Sequence, residues 1–135
     1  MRKILIDLNI ILDFLNKRNF HHEAAQLINM CVEKKISGYI CAHEVTTLSY
    51  FLLKEQKDKN KVINTITALL DIFNVISIDE SILRDSLISP ITDYEDAVIE
   101  VSSMKTNIDY IISRNISDFK LSRIPTYTPE QFFDL

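Results

Sequence analysis

The feature that most constrains this chain is a regular alternation of short apolar runs with longer amphipathic stretches. The stretch from Lys3 to Asp7 opens the alternation as an unbroken apolar run, which is typical of a strand buried on both faces of a parallel sheet. Strands that alternate with helices along a chain predict an α/β fold. Further strands are predicted at residues 36–42, 73–78, 108–113 and 124–128.

The stretches between these runs carry apolar residues at helical spacing. Residues Thr92 to Glu95 have the Ser/Thr-x-x-Glu form of a capping box, which predicts a helix from about Asp93 to about 106. Pro129 suits the first position of a terminal helix. No repeat or linker interrupts the pattern, so we expect one domain over residues 1–135. The other predicted helices are 10–15, 21–35, 43–54, 60–71 and one that opens at 79–80.

Composition excludes several classes of site. A single glycine, Gly38, cannot supply a glycine-rich phosphate loop. Two cysteines, Cys31 and Cys41, are too few for a Cys-rich zinc site and do not form a C-x-x-C pair, so a reducing cytoplasm fits best. No apolar run approaches the roughly 18 to 20 residues that a membrane span requires. We therefore expect a soluble, cytoplasmic protein with no membrane partner.

The charge balance leaves nucleic acid open as a substrate. Fifteen Lys and Arg against nineteen Asp and Glu give a net charge of −4, so a large basic footprint is absent. An enzyme that gathers carboxylates around a divalent cation also has an acidic composition, because the ion reverses the local charge.

Acidic side chains follow the predicted strands at one edge of the sheet. Asp7 ends the first strand, Asp96 lies in the first turns of the helix after Asp93, and Asp118 follows the fourth strand. Ligands of an open parallel sheet bind beyond the carboxyl ends of its strands. Converging carboxylates need a compensating cation, and oxygen ligands select Mg²⁺ or Mn²⁺. Such an ion can activate water for phosphodiester hydrolysis.

Each acid also has a purely structural interpretation. Asp7 or Asn9 could cap the following helix, and Asp93 could simply be favoured by the helix dipole. Asp96 shares a polar stripe with Glu100 and Ser103, which a solvated face would explain. Asp118 could only form a turn. A phosphotransfer site at Asp7 is disfavoured because Asn9 stands where such enzymes place a second acid.

Three stretches resemble one known family. Residues 5–13 read LIDLNIILD, residues 92–97 read TDYEDA, and residues 109–119 read DYIISRNISDF. In this order and spacing they resemble the PIN domain, the nuclease fold of VapC-like toxins. With the closing residues 128–133 the resemblance runs from Lys3 to the C-terminus. It implies a three-layer α/β/α fold around a central parallel sheet of four to five strands.

The resemblance also implies an activity and a site. The activity is that of a Mg²⁺- or Mn²⁺-dependent endoribonuclease that acts on single-stranded or exposed RNA. The family also implies that the protein is the toxin of a type II toxin–antitoxin pair, with an antitoxin partner and a homodimeric state. Asp7, Asp96 and Asp118 would be the metal ligands. The supporting residues would be Asn9, which orients Asp7, together with Asp93 and Asn115.

Two positions depart from the family pattern. Many relatives carry an acid in the helix after the second strand, and the alignment places Thr47 there. Glu44, one turn earlier, could supply the missing catalytic carboxylate or could be a first-turn acid favoured by the dipole. Asn115 stands where many relatives have an acid, and Arg114 before it could contact a substrate phosphate or form a salt bridge within the acidic rim. With fewer charges, the alternative is a non-catalytic PIN-like module that binds RNA or protein at a degraded metal site.

Overall fold

A computed structural model describes all residues from Met1 to Leu135. Five strands, all parallel, form one sheet in the order β3-β2-β1-β4-β5. This confirms the predicted α/β fold with a central parallel sheet. The strands are β1 (Lys3–Ile6), β2 (Ser37–Cys41), β3 (Asn74–Ile76), β4 (Tyr110–Ile112) and β5 (Thr126–Tyr127).

Helices cover both faces of the sheet, which gives the three layers. One face carries α1 (Leu8–Leu15), α2 (His21–Val32), α3 (Ala42–Gln56), α4 (Lys59–Ile72) and α7 (Pro129–Phe133), and the other carries α5 (Glu80–Ser86) and α6 (Tyr94–Lys105). No helix combines the length and the apolar character that crossing a membrane would require.

Strand β1 is central, and its side chains alternate between the two apolar layers. Ile4 and Ile6 pack with α1, α2 and α3, whereas Leu5 packs with Ala97 and Ile99 of α6. These three side chains have no exposed surface, and Lys3 at the start of the strand is half-buried. The unbroken apolar run in the sequence thus corresponds to a strand with protein on both sides.

Element boundaries differ from the predictions at the ends. Each predicted strand is one or two residues longer than the observed strand at one or both ends. The predicted capping box at Thr92 is wrong. Asp93 is the N-cap of α6, and its carboxylate accepts the N–H of Asp96 at 3.0 Å. Pro129 is the first residue of α7, as predicted.

Gly38 is required by a close approach rather than by a turn. A Cβ at this position of β2 would lie 2.6 Å from the Cys31 sulfur and 2.9 Å from the Phe73 ring. The absence of a side chain therefore lets α2 and the end of α4 pack directly against β2.

Candidate metal and active site

The ends of β1 and β4 place two polar side chains in contact. The strands pair with Ile6 opposite Ile112, so Asp7 and Ser113 leave the sheet side by side. The Asp7 N–H donates to the Ile112 carbonyl, and the Ser113 hydroxyl donates to Asp7 Oδ2 at 2.9 Å. Asp7 is the backbone N-cap of α1, but its side chain makes no capping hydrogen bond. The helix-cap interpretation therefore does not account for this carboxylate.

Burial raises the pKa of Asp7 above its usual range. The hydrogen bond from Ser113, the nearby Leu8 N–H and the Asn9 side chain act to lower this pKa, and the negative charge of Asp118 acts to raise it. Asp7 is 7% exposed. A buried carboxylate that is held by donors yet repelled by another acid is suited to a cation.

Glu44 brings a second carboxylate to the same edge from the first turn of α3. Its Oε1 accepts the Cys41 N–H at 2.8 Å, while its Oε2 is buried with no hydrogen-bond partner. Burial raises the pKa of Glu44 well above its usual range, and the charge of Asp7 raises it further. The two carboxylates are therefore close enough to repel each other.

Thr47 lies one turn further along α3 and supplies no charge. Its hydroxyl donates to the His43 carbonyl at 3.1 Å, within the helix. The acid contributed by α3 to this edge is thus in the first turn, at Glu44, and not at the position expected from the alignment. A helix that begins directly at the end of β2 brings its first turn, rather than its second, close to Asp7.

Helix α6 contributes a third acid. Asp96 is half-buried in the first turn, and burial, followed by the charges of Asp93, Asp7 and Asp118, raises its pKa to about 7. Asp93 itself is exposed and fixes the start of the helix through the Asp96 N–H. Asp96 therefore shares the electrostatic field of Asp7.

The segment after β4 closes the site. Residues Ile116–Phe119 form a 3₁₀ turn in which the Asp118 N–H donates to the Asn115 carbonyl at 3.0 Å. The Asn115 N–H in turn donates to the Ser113 hydroxyl at 3.1 Å. Asp118 and Asn115 are both exposed. Ser113 thus connects this loop to Asp7.

A cleft of about 620 Å³ lies beside this edge of the sheet, and Asp93, Asp96 and Asp118 are the acids that line it. Residues between Ile91 and Asp96 form one wall, which we call the α6 wall. Residues between Ser117 and Leu121 form the other, which we call the loop wall. Asp96 belongs to the α6 wall and Asp118 to the loop wall, where Lys120 adds a positive charge.

Arg114 does not lie free in the cleft. Its Nη1 donates to Glu130 at 3.0 Å, its Nε lies 3.7 Å from Asp13, and its guanidinium stacks 3.9 Å from the Phe20 ring centre. Its side chain is 16% exposed. Arg114 thus forms ion pairs, but with Asp13 and Glu130 rather than with Asp7, Asp96 or Asp118 of the predicted acidic rim, and a phosphate contact by Arg114 stays a prediction.

Two residues of the expected solvated stripe on α6 are buried. Glu100 and Ser103 have no exposed surface, so the solvated-face interpretation is wrong for them. The segment from Arg123 and the chain before Ile91 cover this part of α6, which the sequence pattern could not show.

The sequence reasoning did not select Ser113 as a site residue. Asp7 directly follows β1 and Ser113 directly follows β4, and these strands are neighbours. A signal was therefore present in the sequence: a polar residue at the carboxyl end of each of two predicted strands.

The donors at this edge suit a hard divalent cation by their chemistry. They are carboxylate oxygens, the kind of ligand that such ions prefer. Three of the carboxyl groups, Asp7, Glu44 and Asp96, have a raised pKa, and one buried oxygen of Glu44 has no hydrogen-bond partner. No three His, Cys, Asp or Glu side chains converge tightly enough to form a complete ligand set. Mg²⁺ is commonly held by one or two carboxylates and several waters, so such a set is not required.

Comparison with known proteins identifies the family. A PIN domain family model matches residues 3–117. The fold resembles VapBC2 from Rickettsia felis bound to a DNA fragment from its promoter (18% identity, 92% of this chain and 96% of that chain, TM-score 0.67). It also resembles a toxin–antitoxin complex from Klebsiella pneumoniae (24% identity, 93% and 97%, TM-score 0.69).

A third similar structure is VapC20 from Mycobacterium tuberculosis, described as a sarcin–ricin loop cleaving toxin (10% identity, 87% of this chain and 93% of that chain, TM-score 0.66). No curated protein matches the chain. At these identities the solved structures show a shared fold, and the family model covers most of the chain. The chain therefore belongs to the PIN domain family.

Proposed function

We propose that this protein is a metal-dependent endoribonuclease and the toxin of a toxin–antitoxin pair, acting in the cytoplasm as one domain over residues 1–135. The observation that carries the proposal is the gathering of buried or half-buried carboxylates from three chain segments, Asp7, Glu44 and Asp96, at the carboxyl edge of the sheet. The pKa of each is raised by burial and by the charge of another acid of the site. Such a cluster is stabilised by a cation.

The residues that would hold Mg²⁺ or Mn²⁺ are Asp7, Asp96 and Asp118, with the free Oε2 of Glu44 available as a further acceptor. The ion supplies activation of water and neutralisation of charge at the scissile phosphate. Ser113 and Asn9 keep Asp7 oriented, and Asp93 fixes the first turn of α6. Asn115 holds the loop that carries Asp118 through its carbonyl oxygen.

RNA is the proposed substrate class. VapC20, which shares the fold, is described as cleaving the sarcin–ricin loop, an RNA target. The cleft is open and carries Lys120 beside the acids, so one phosphate contact is available on the loop wall. The net charge of −4 favours recognition of a particular exposed segment over general binding along a duplex.

An antitoxin and a second copy of the chain are the proposed protein partners. The similar structures from Rickettsia felis and Klebsiella pneumoniae are toxin–antitoxin complexes. Helix α3 also exposes large apolar side chains, which are common at protein interfaces. These are Tyr50, Phe51 and Leu53, with 63%, 38% and 45% of their surface exposed.

The test is cleavage of a mixed RNA pool by the purified protein with Mn²⁺, with Mg²⁺ and with EDTA. Asp7→Asn and Asp96→Asn should abolish metal-dependent cutting while remaining folded by circular dichroism. Glu44→Gln should also lose activity, because the neutral amide replaces a carboxylate of the site, whereas Thr47→Ala should cut normally. An unchanged rate in Glu44→Gln would remove Glu44 from the catalytic set.

The second candidate is a non-catalytic PIN-like module that binds RNA or protein. Its supporting observations are the neutral Asn115 and the absence of three tightly converging ligands. No cutting with either metal, together with no metal-induced rise in melting temperature, would favour this module over the nuclease.

A further inference from the structure

The buried carboxylate of Glu100 is hydrogen-bonded to the two chain segments that adjoin the walls of the cleft. Glu100 lies on α6, one turn beyond Asp96, and has no exposed surface. Its Oε1 accepts hydrogen bonds from the Ser89 hydroxyl at 3.0 Å and from the Arg123 guanidinium at 2.7 Å, and its Oε2 accepts the Arg123 N–H at 2.6 Å. Both oxygens therefore have a hydrogen-bond partner.

Ser89 links Glu100 to the α6 wall through hydrogen bonds. Its hydroxyl oxygen also accepts the N–H of Ile91 at 3.1 Å, and Ile91 is the first residue of that wall. The chain then continues through Thr92 to Asp93, the N-cap of α6. The position of this wall thus depends on a hydrogen-bond chain that ends at Glu100.

Arg123 links Glu100 to the segment that follows the loop wall. It stands two residues after Leu121, the last residue of that wall, and it is held through its backbone N–H as well as its side chain. A backbone hydrogen bond fixes the path of the chain, whereas the Arg123 side chain is 48% exposed and contributes less. Asp118 lies five residues upstream, on the same wall.

The protonation state of Glu100 agrees with this role. Burial by itself would raise the pKa of Glu100, but hydrogen bonds from the Arg123 side chain, the Arg123 N–H and the Ser89 hydroxyl outweigh it and hold the pKa below its usual range. Glu100 therefore stays ionised and accepts all three bonds. A buried charge that is fully satisfied specifies one arrangement of the groups around it.

We propose that Glu100 is a positioning residue that sets the spacing of Asp96 and Asp118 across the cleft, and so acts on the proposed nuclease reaction without touching substrate. This inference rests on the proposed function for its kinetic consequence. Its structural consequence, a fixed separation of the α6 wall and the loop wall, can be measured without any activity.

The structural test is amide hydrogen exchange in Glu100→Gln and Glu100→Leu. Gln keeps the shape and one acceptor oxygen, and Leu keeps similar volume with no acceptor. We expect the N–H groups of Ile91 and Arg123 to exchange faster in both variants, with the larger effect in Leu, while amides of α4 on the opposite face keep their wild-type rates. Unchanged exchange at Ile91 and Arg123 would overturn the proposal.

The kinetic test compares kcat and KM for RNA cleavage in Glu100→Gln with those in Val62→Ala, a buried control on α4. Assays are run well below both melting temperatures. Misplacement of supporting groups costs about ten- to a hundredfold in activity, so we expect kcat to fall by this factor with little change in KM in Glu100→Gln only. Equal losses in the two variants would show a purely structural role and overturn the proposal.

Failure of the nuclease assignment gives a different result. If the wild-type protein cuts no RNA with either metal, the proposed function fails, and the exchange rates of Ile91 and Arg123 still decide the role of Glu100. If the wild type cuts RNA and Glu100→Gln cuts it equally well, the nuclease function is supported and the positioning role of Glu100 is wrong.

Discussion

The hydroxyl of Ser113 donates a 2.9 Å hydrogen bond to the carboxylate of Asp7, although 106 positions separate the two residues along the chain. The contact is produced by the pairing of β1 with β4, which ends both strands at the same level. Ser113 also accepts the N–H of Asn115. One side chain thus orients the central acid and anchors the loop that closes the site.

Replacement of Ser113 should therefore reduce both stability and activity. Ser113→Ala leaves the Asp7 carboxylate without this donor and should cost about 1 kcal/mol of unfolding free energy, the typical net value of one hydrogen bond. If Asp7 holds the ion as proposed, cleavage should fall by about tenfold, the typical effect of removing a group that orients a metal ligand. Urea unfolding and single-turnover cleavage measure the two effects.

Ser113→Thr keeps the hydroxyl and should retain most of the activity. Ser103→Ala is the matched control, because Ser103 is equally buried but its hydroxyl has no hydrogen-bond partner. If Ser113→Ala and Ser103→Ala cleave alike, Ser113 does not orient Asp7 for function.

Metal-free protein should lose stability as pH rises. Burial and neighbouring acids raise the pKa of Asp96 from 3.8 to about 7 in the folded state, so folding favours the protonated acid. The stabilisation that protonated Asp96 contributes to the folded state is fully present below pH 3.8, declines above that pH, and is lost once the pH passes about 7. Asp7 and Glu44, which also have raised pKa values, act in the same direction.

Thermal melts in EDTA at pH 5.5 and pH 8 test this dependence. Asp96→Asn should melt at a higher temperature than wild type at pH 8 and should show a weaker fall between the two pH values. Asp71→Asn, at an exposed acid on α4, should leave the pH dependence unchanged. A wild-type melting temperature that rises toward pH 8 would contradict the expectation.

Arg114 should act mainly through folding stability. Asp13 is 6% exposed and depends on Arg114 and Arg18 for compensation. Arg114→Met keeps the aliphatic stem but leaves Asp13 and Glu130 without this cation, so we expect a loss of about 2 kcal/mol, the value for hydrogen bonds to charged groups. Denaturant unfolding measures the loss.

Arg84→Met is the control, since the Arg84–Glu80 pair is exposed and should contribute less than about 1 kcal/mol. Adding Asp13→Asn to Arg114→Met should recover part of the stability, because it removes the uncompensated charge. A raised KM for RNA with unchanged stability in Arg114→Met would instead assign Arg114 to a substrate phosphate.

Gly38→Ala should destabilise the fold through overlap with two neighbours. The added Cβ would meet the Cys31 sulfur at 2.6 Å and the Phe73 ring at 2.9 Å. Overpacking of this kind costs about 1 to 3 kcal/mol, which thermal melts would detect. Cys31→Ala in the same chain should relieve one of the contacts and restore part of the loss. An unchanged melting temperature in Gly38→Ala would show that the backbone adjusts at no cost.

The sequence alone determined the class of fold and the location of the acids. An apolar run such as Ile4–Ile6 requires protein on both faces, and strands alternating with helices form a parallel sheet. In a parallel sheet all carboxyl ends lie at one edge, so the sequence predicts that Asp7, Asp96 and Asp118 lie at that edge.

The tertiary structure decided which side chains meet at that edge. The Asp7–Ser113 contact depends on the register of β1 with β4. The acid that α3 contributes is Glu44, and not a residue at position 47, because α3 begins directly after β2. The burial of Glu100 depends on chain that follows it by more than twenty residues. Periodicity describes one helix or strand at a time, whereas these relationships arise only when separate segments pack, and that is why they could not be predicted from local pattern.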